Sequence, residues 1–171
     1  MGEPSRRPAT FDAYYLDDFR SLTWFAIRIG ATSVDEAEDL AQDAMRTILC
    51  HWPKIDAPYA YARAAVSRDI CRVRTRAARR RAAEARAAAQ DPPRQPSGFT
   101  GEAATVIAML STLPQAQREV LALATDGFEP AAIAEITGQN VATVRSNLRH
   151  GRRKLIRLMT EAAGKVVDDG P

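Results

Sequence analysis

From Arg145 to Arg157 the chain carries six basic side chains (Arg145, Arg149, Arg152, Arg153, Lys154 and Arg157) and no acidic one. At about 100° per residue along a helix, Val144, Leu148, Gly151, Leu155, Leu158 and Met159 share one narrow sector. Arg145, Ser146, Arg149, His150 and Arg153 fall opposite them. A solvated surface helix normally mixes signs, because Glu–Lys pairs support it and like charges repel. Here the repulsion is left uncompensated, as it would be if phosphates supplied the missing charge. The chemistry that fits is recognition of a nucleic acid, with arginine at a guanine edge the commonest specific contact. Arg145, Ser146, Arg149 and His150 are the base-edge candidates, and Arg152, Arg153 and Lys154 the phosphate clamps. Thr143 and Asn147 complete the surface. The competing reading is a basic face that merely meets solvent.

A surface of this kind has to be held at a fixed angle, and the preceding residues provide for that. Pro130 suits a first helical turn, where its missing N–H would be unpaired anyway. Ala132, Ile133 and Ile136 give a short helix its apolar face. Gly138 can adopt the left-handed conformation that ends it, and Asn140 is a good N-cap for a helix beginning at Val141. This is a helix-turn-helix pattern. Residues 104–113 and 115–126 supply two bracing helices, the second closed by Gly127.

Catalytic and metal chemistry find little support. The phosphate-binding glycine loops, the His-Glu-x-x-His metalloprotease pair and the Gly-x-Ser-x-Gly elbow are all absent. His51 and His150 fall in different predicted domains without an evident nucleophile beside either. Cys50 and Cys71 lack zinc-ligand or disulfide-framework spacing, so they read as packed or incidental thiols. No enzyme activity, cofactor or metal is expected. The N-terminus has no apolar signal region and no run is long enough to span a membrane, which leads to the expectation of a cytoplasmic protein without membrane insertion.

The formal net charge of +3 is unevenly distributed. Residues 1–52 hold five basic and nine acidic side chains (−4), residues 53–90 ten and three (+7), and residues 91–171 nine of each. An acidic surface and two separate basic ones suggest a protein partner plus a nucleic acid touched at two places. Phe11, Tyr15, Phe19, Leu22, Ala26 and Ile29 recur at helical spacing, predicting a helix over 11–29 that ends at Gly30. Ser33 to Glu36 form a capping box. The helix behind it turns Ala37, Leu40, Ala41, Ala44, Ile48 and Leu49 inward and an acidic face outward. After Trp52-Pro53 and a short loop, a long helix starts near Tyr59, with Tyr59, Ala62, Val66, Ile70 and Val73 along one stripe and arginines mostly off it. Basic residues continue that strip through Arg81. Residues 83–103 lose all apolar periodicity and read as a flexible linker. The fold class is therefore all-α: two small helical domains, at 11–82 and 104–160, joined by that linker, with a tail at 1–10 and a frayed tail at 161–171.

Leu113-Pro114-Gln115-Ala116-Gln117-Arg118-Glu119-Val120-Leu121, Thr143-Val144-Arg145-Ser146 and Arg152-Arg153-Lys154-Leu155 resemble region four of the extracytoplasmic-function (ECF) sigma factors of bacterial RNA polymerase. Glu36-Ala37-Glu38-Asp39-Leu40-Ala41-Gln42-Asp43 resembles the Asp-Leu-x-Gln-Asp/Glu pattern of their region two. The two motifs stand in the family's order and together span nearly the whole chain. The sequence departs from the family's pattern at Ser67, Glu129, Ala132, Asn147 and Gly151. The resemblance implies that Asp39, Leu40, Gln42 and Asp43 dock on core RNA polymerase. It implies that Trp52, Lys54, Tyr59, Tyr61, Arg63, Ser67, Arg68, Arg72 and Arg74 engage and open the minus-10 promoter element, with core packing the alternative for Trp52 and Tyr59. The last helix would read the minus-35 element, and an anti-sigma factor would be a possible partner. The alternative is a stand-alone helix-turn-helix regulator that binds operator DNA as a dimer.

Overall fold

The computed structural model describes residues 7–84 and 99–168, and side chains within 7–76 and 99–162. The described residues form seven α-helices and no strand: α1 (Phe11–Ile29), α2 (Val34–His51), α3 (Pro58–Glu84), α4 (Gly101–Ser111), α5 (Gln115–Thr125), α6 (Pro130–Thr137) and α7 (Val141–Asp168). A 3-10 turn at Trp52–Lys54 joins α2 to the loop before α3. The fold is all-α. The expected tail at 161–171 instead begins as a continuation of α7 through Asp168. Most of the expected linker, and Arg81 at the end of the basic strip, lie outside the residues whose side chains are described.

Local chemistry sets the helix ends. Thr10 caps α1 by accepting from the Ala13 amide at 3.2 Å, and Gly30, at φ 124°, turns the chain out of it. Ser33 Oγ accepts from the Glu36 amide at 3.1 Å. The Glu36 carboxylate does not return to Ser33; it reaches one residue further back and accepts from the Thr32 amide at 2.6 Å. That variant of the box still satisfies two donors at the mouth of α2. Asn140 Oδ1 accepts from the Thr143 amide at 2.7 Å and starts α7 as expected.

Helices α1, α2 and α3 bury Leu22, Phe25, Ile29, Ala41, Ile48, Ala62 and Val66 against one another. Helices α4 to α7 bury Ile107, Leu113, Val120, Leu123, Ile133, Val144 and Leu148. The buried residues of the two groups form one continuous core, with α5 lying against α1 and α6 against α3. Two inward assignments are corrected. Tyr15 is 37% exposed and Leu49 53% exposed, while Tyr14 is fully buried. On α1 the inward line runs through Tyr14, Asp18, Leu22, Phe25 and Ile29, and its one carboxylate is what hid it from an apolar count.

Gly151 is buried where α7 crosses α5. A Cβ there would come within 2.7 Å of Leu121 Cδ1 and 3.3 Å of Leu121 Cγ. The missing side chain lets the two helices approach closely. Gly151→Val should therefore destabilise the chain by about 1–3 kcal/mol, the usual cost of overpacking, even though glycine is itself a poor helix former. Urea unfolding checks this; an unchanged or raised midpoint would show that Leu121 swings aside freely.

Candidate nucleic-acid interface

The turn between α5 and α6 and the exposed flank of α7 enclose an open groove of about 780 Å³. Phe128, Glu129 and Pro130 form one wall, Arg145, Arg149, Arg152 and Arg153 the other, and Leu148 and Ile156 part of the floor. Glycine 138, at φ 66°, ends α6 in the left-handed conformation and aims α7 across it. All four arginines, with Thr143 and His150, are exposed. Their side chains are free to follow a phosphate backbone or enter a groove of DNA.

Three of the predicted contacts are engaged inside the protein. Asn147 Nδ2 donates to Gln139 Oε1 at 3.1 Å and ties α7 to the turn. Lys154 Nζ donates to the Thr112 carbonyl at 2.5 Å, so it braces the connection between α4 and α5 and lies away from the arginine wall. Ser146 Oγ is 3.4 Å from His150 Nδ1. Lysine 154 was expected to clamp phosphate; its position on the apolar-side shoulder of the helix gives it this structural bond instead.

The second basic surface divides more sharply. Lys54, Arg68, Arg72 and Arg74 are exposed, and Arg72 pairs with Asp69 at 3.2 Å. Trp52, Tyr59 and Tyr61 are half-buried. Trp52 packs edge-on to Phe11 at 5.8 Å, and the Arg7 guanidinium covers its ring at 4.7 Å. Tyr59 meets Tyr14 edge-to-face at 5.1 Å and donates to Asp17 at 2.6 Å. Burial first, and then that bond to Asp17, raises the Tyr59 phenol above its ordinary value. These aromatics hold α1 to α3.

Arg63 and Ser67, at 2% and 8% exposure, are corrections to the expected nucleic-acid face. Both lie under the C-terminal helices, where no nucleic acid can reach them in this arrangement. Arg63 Nη1 pairs with Asp18, Nη2 donates to Ser21 Oγ at 2.9 Å, and Nε donates to Asp126 Oδ2 at 2.9 Å. Asp126 also takes Arg28. Tyr14 completes the cluster by donating to Asp18 at 2.9 Å. Burial opposes the charge on Arg63, but Asp18 and Asp126 outweigh it and hold the guanidinium firmly cationic. Burial also raises the Asp18 carboxyl, against the opposing pull of Arg63.

Beside this cluster the seam is less well matched. Gln115 Nε2 donates to the Ile29 carbonyl at 3.1 Å. Arg118 is buried and pushed down to about 10, by desolvation first and then by the like charge of Arg74. Ser67 Oγ lies beside the Glu119 carboxyl but short of a well-formed hydrogen bond. Burial raises the Glu119 pKa, with Ser67 opposing. A carboxyl whose folded pKa exceeds its unfolded one binds protons more tightly when folded, so its stabilisation is lost as pH rises through the folded value. Glu119→Gln should therefore stabilise the chain at neutral pH. Thermal unfolding of variant and parent should converge as the buffer is acidified towards the ordinary carboxylate range; a constant gap would show that Glu119 is not the titrating group.

The predicted polymerase contacts lie on one face of α2. Asp39, Gln42 and Asp43 are exposed and Leu40 is half-buried, with Asp43 paired to Arg46 three residues on. Cys50 and Cys71 are exposed and free. Among the described residues no cluster of His, Cys, Asp and Glu is placed to hold a metal ion, and no helix is long and apolar enough to cross a membrane. Sequence reading missed Asp18, Arg28 and Asp126, which join the two helical groups. The spacing of Tyr14, Asp18 and Leu22 on one stripe of α1 was the available sign for the first.

Residues 104–155, from α4 into α7, match the family model for sigma-70, region 4. No curated protein matches the chain. In fold the chain is similar to the sigma factor RpoE of Bartonella quintana, solved in complex with the anti-sigma factor NepR. The TM-score is 0.71 at 20% identity, over 88% of this chain and 96% of that one.

Proposed function

We propose that the chain is a cytoplasmic ECF sigma factor, binding core RNA polymerase and directing initiation at particular promoters, and that it is not an enzyme. The observation that carries this reading is the wall of four exposed arginines on α7, free of acidic neighbours on its own helix and set within residues that match sigma-70 region 4. Helices α1 to α3 would form the polymerase-binding and minus-10 module, and α4 to α7 the minus-35 module. Arg145 and Arg149, with Thr143 and His150, would face base edges, and Arg152 and Arg153 the phosphates. Lys54, Arg68, Arg72 and Arg74 would follow the downstream strand. Arg63 and Ser67 could take part only after α5 and α6 leave α3. An anti-sigma protein such as the one bound to the RpoE relative is a fitting regulator.

The deciding experiment is transcription by purified chain and core polymerase on promoter DNA. Specific starts that need both components support the reading; tight binding to palindromic DNA without polymerase would favour the dimeric regulator. In the same assay, Asp39→Lys with Asp43→Lys should lower polymerase affinity by about tenfold or more, because reversing exposed charges at a complementary surface costs at least about 1.4 kcal/mol. Equal capture of parent and variant on immobilised polymerase would move the docking surface elsewhere.

A further inference from the structure

The seam between the two helical groups contains positive charge that its own acids do not neutralise. Arg118, from α5, is 6% exposed; its Nη2 reaches the Leu113 carbonyl at 3.3 Å, and its Nε is buried with no partner. Arg74, from α3, is exposed and brings its guanidinium to the same place. Measured from the position a Cβ would take on Gly30, Arg74 Nη1 is 2.9 Å away and Arg118 Nη1 3.1 Å away. Only a residue without a side chain leaves that space open. Asp126 is held by Arg28 and Arg63, and Asp18 by Arg63 and Tyr14; Glu119, the other carboxyl of the seam, faces Ser67 on α3. The C-terminal end of α1 offsets part of the charge. Its carbonyls are also taken, however: Ala26 and Ile27 by Gly30, and Ile29 by Gln115.

A second orphan lies beside the first. Gln115 stands one turn before Arg118 on α5, on the same face. Its amide nitrogen is fixed on the Ile29 carbonyl, which leaves Oε1 buried and unpaired. The seam around Gly30 thus presents one buried guanidinium with an unpaired N–H, a second, solvent-exposed guanidinium beside it, and one buried carbonyl oxygen that requires a donor. A buried guanidinium left unpaired is costly, and a charged acceptor bonded to it recovers most of that cost.

We propose that Arg74, Arg118 and Gln115 form a binding site for a small oxyanion that keeps a hydroxyl at neutral pH, that is, inorganic phosphate. Its oxygens accept from the two guanidiniums and its hydroxyl donates to Gln115 Oε1. Arg74 belongs to the N-terminal helices and Arg118 to the C-terminal ones, so occupancy favours the closed arrangement that buries Arg63 and Ser67.

Calorimetric titration of the full chain with sodium phosphate, at pH 7 and constant ionic strength set with chloride, tests this. Saturable binding of one phosphate is expected, with sulfate several-fold weaker because it offers no hydroxyl at that pH. Arg74→Ala, an exposed substitution that leaves the core intact, should weaken phosphate binding by about tenfold. Arg149→Ala should leave the phosphate affinity unchanged, which separates the seam from the arginine wall of α7. Gln115→Leu should erase the preference for phosphate over sulfate. A phenyl phosphate arm checks the hydroxyl contact: a monoester, with its second pKa at about 6, is mostly dianionic at pH 7 and should bind as weakly as sulfate, and affinity equal to that of inorganic phosphate would overturn the role of Gln115. No saturable binding at millimolar phosphate, binding indifferent to Arg74→Ala, or binding lost in Arg149→Ala would each overturn the proposal. None of these outcomes depends on transcription activity.

Discussion

Asp126→Asn should cost about 3–5 kcal/mol, the usual penalty for stranding the other half of a buried ion pair. Asp126 is the only carboxylate of the C-terminal helices in the Arg28–Arg63–Asp18 cluster, and asparagine keeps its shape while removing its charge. Arg63 is 2% exposed, so its guanidinium cannot find water unless the helices part. Two outcomes express the same loss: a lower denaturation midpoint, or separation of α5 and α6 from α1 and α3 with an increased radius in small-angle scattering. The matching control is Arg63→Met. In that background the demand for Asp126 is largely gone, so the same substitution should cost much less, and the double-mutant cycle should report the coupling directly. Additive losses would show that the two residues stabilise the chain independently.

The second large effect concerns sequence recognition. On the proposed function, Arg149→Ala should cost about 1–3 kcal/mol of promoter binding in the polymerase complex and relax preference at one position of the minus-35 element. Arg149 is exposed, lines the groove beside Arg145, and has no acidic partner on its own helix to hold it back. Arg152→Ala should instead weaken all promoter variants alike and reduce the salt dependence of binding, as loss of a phosphate contact does. Competition among single-base variants at two salt concentrations separates the cases. A uniform loss for Arg149→Ala would assign it to the phosphates.

The buried ionic cluster also bears on how the proposed module works. Arg63 and Ser67 fall on the part of α3 that would face the downstream element, yet α5 and α6 cover them. A chain in this arrangement presents its α7 arginines and withholds part of α3. On the proposed function, polymerase binding therefore has to compete with the Asp126 contacts, and Asp126→Asn would lower that barrier as well as the stability.

Much of this was legible in the sequence. Period and punctuation placed the helices: Gly30, Ser33, Gly138 and Asn140 act locally, through backbone conformation and short-range hydrogen bonds, and need no tertiary partner. The α7 arginine wall was legible for a similar reason, since charge on one helix face follows from spacing alone. What spacing could not convey is which polar side chains find partners across distant segments. Asp18, Arg63 and Asp126 are far apart in the chain; Arg63 read as part of a basic strip, and Asp18 and Asp126 were not singled out until the packing of α5 on α1 and of α6 on α3 brought the three together. Lys154 and Asn147 stand among the same basic residues as Arg153 and Arg149, but helix phase and the nearby Thr112 and Gln139 turn them to structural bonds. Local sequence thus determined the elements and their charged faces. Tertiary packing decided which of those charges are free to meet a partner and which are consumed holding the molecule closed, because a buried charge is tolerated only where another segment brings its counter-charge.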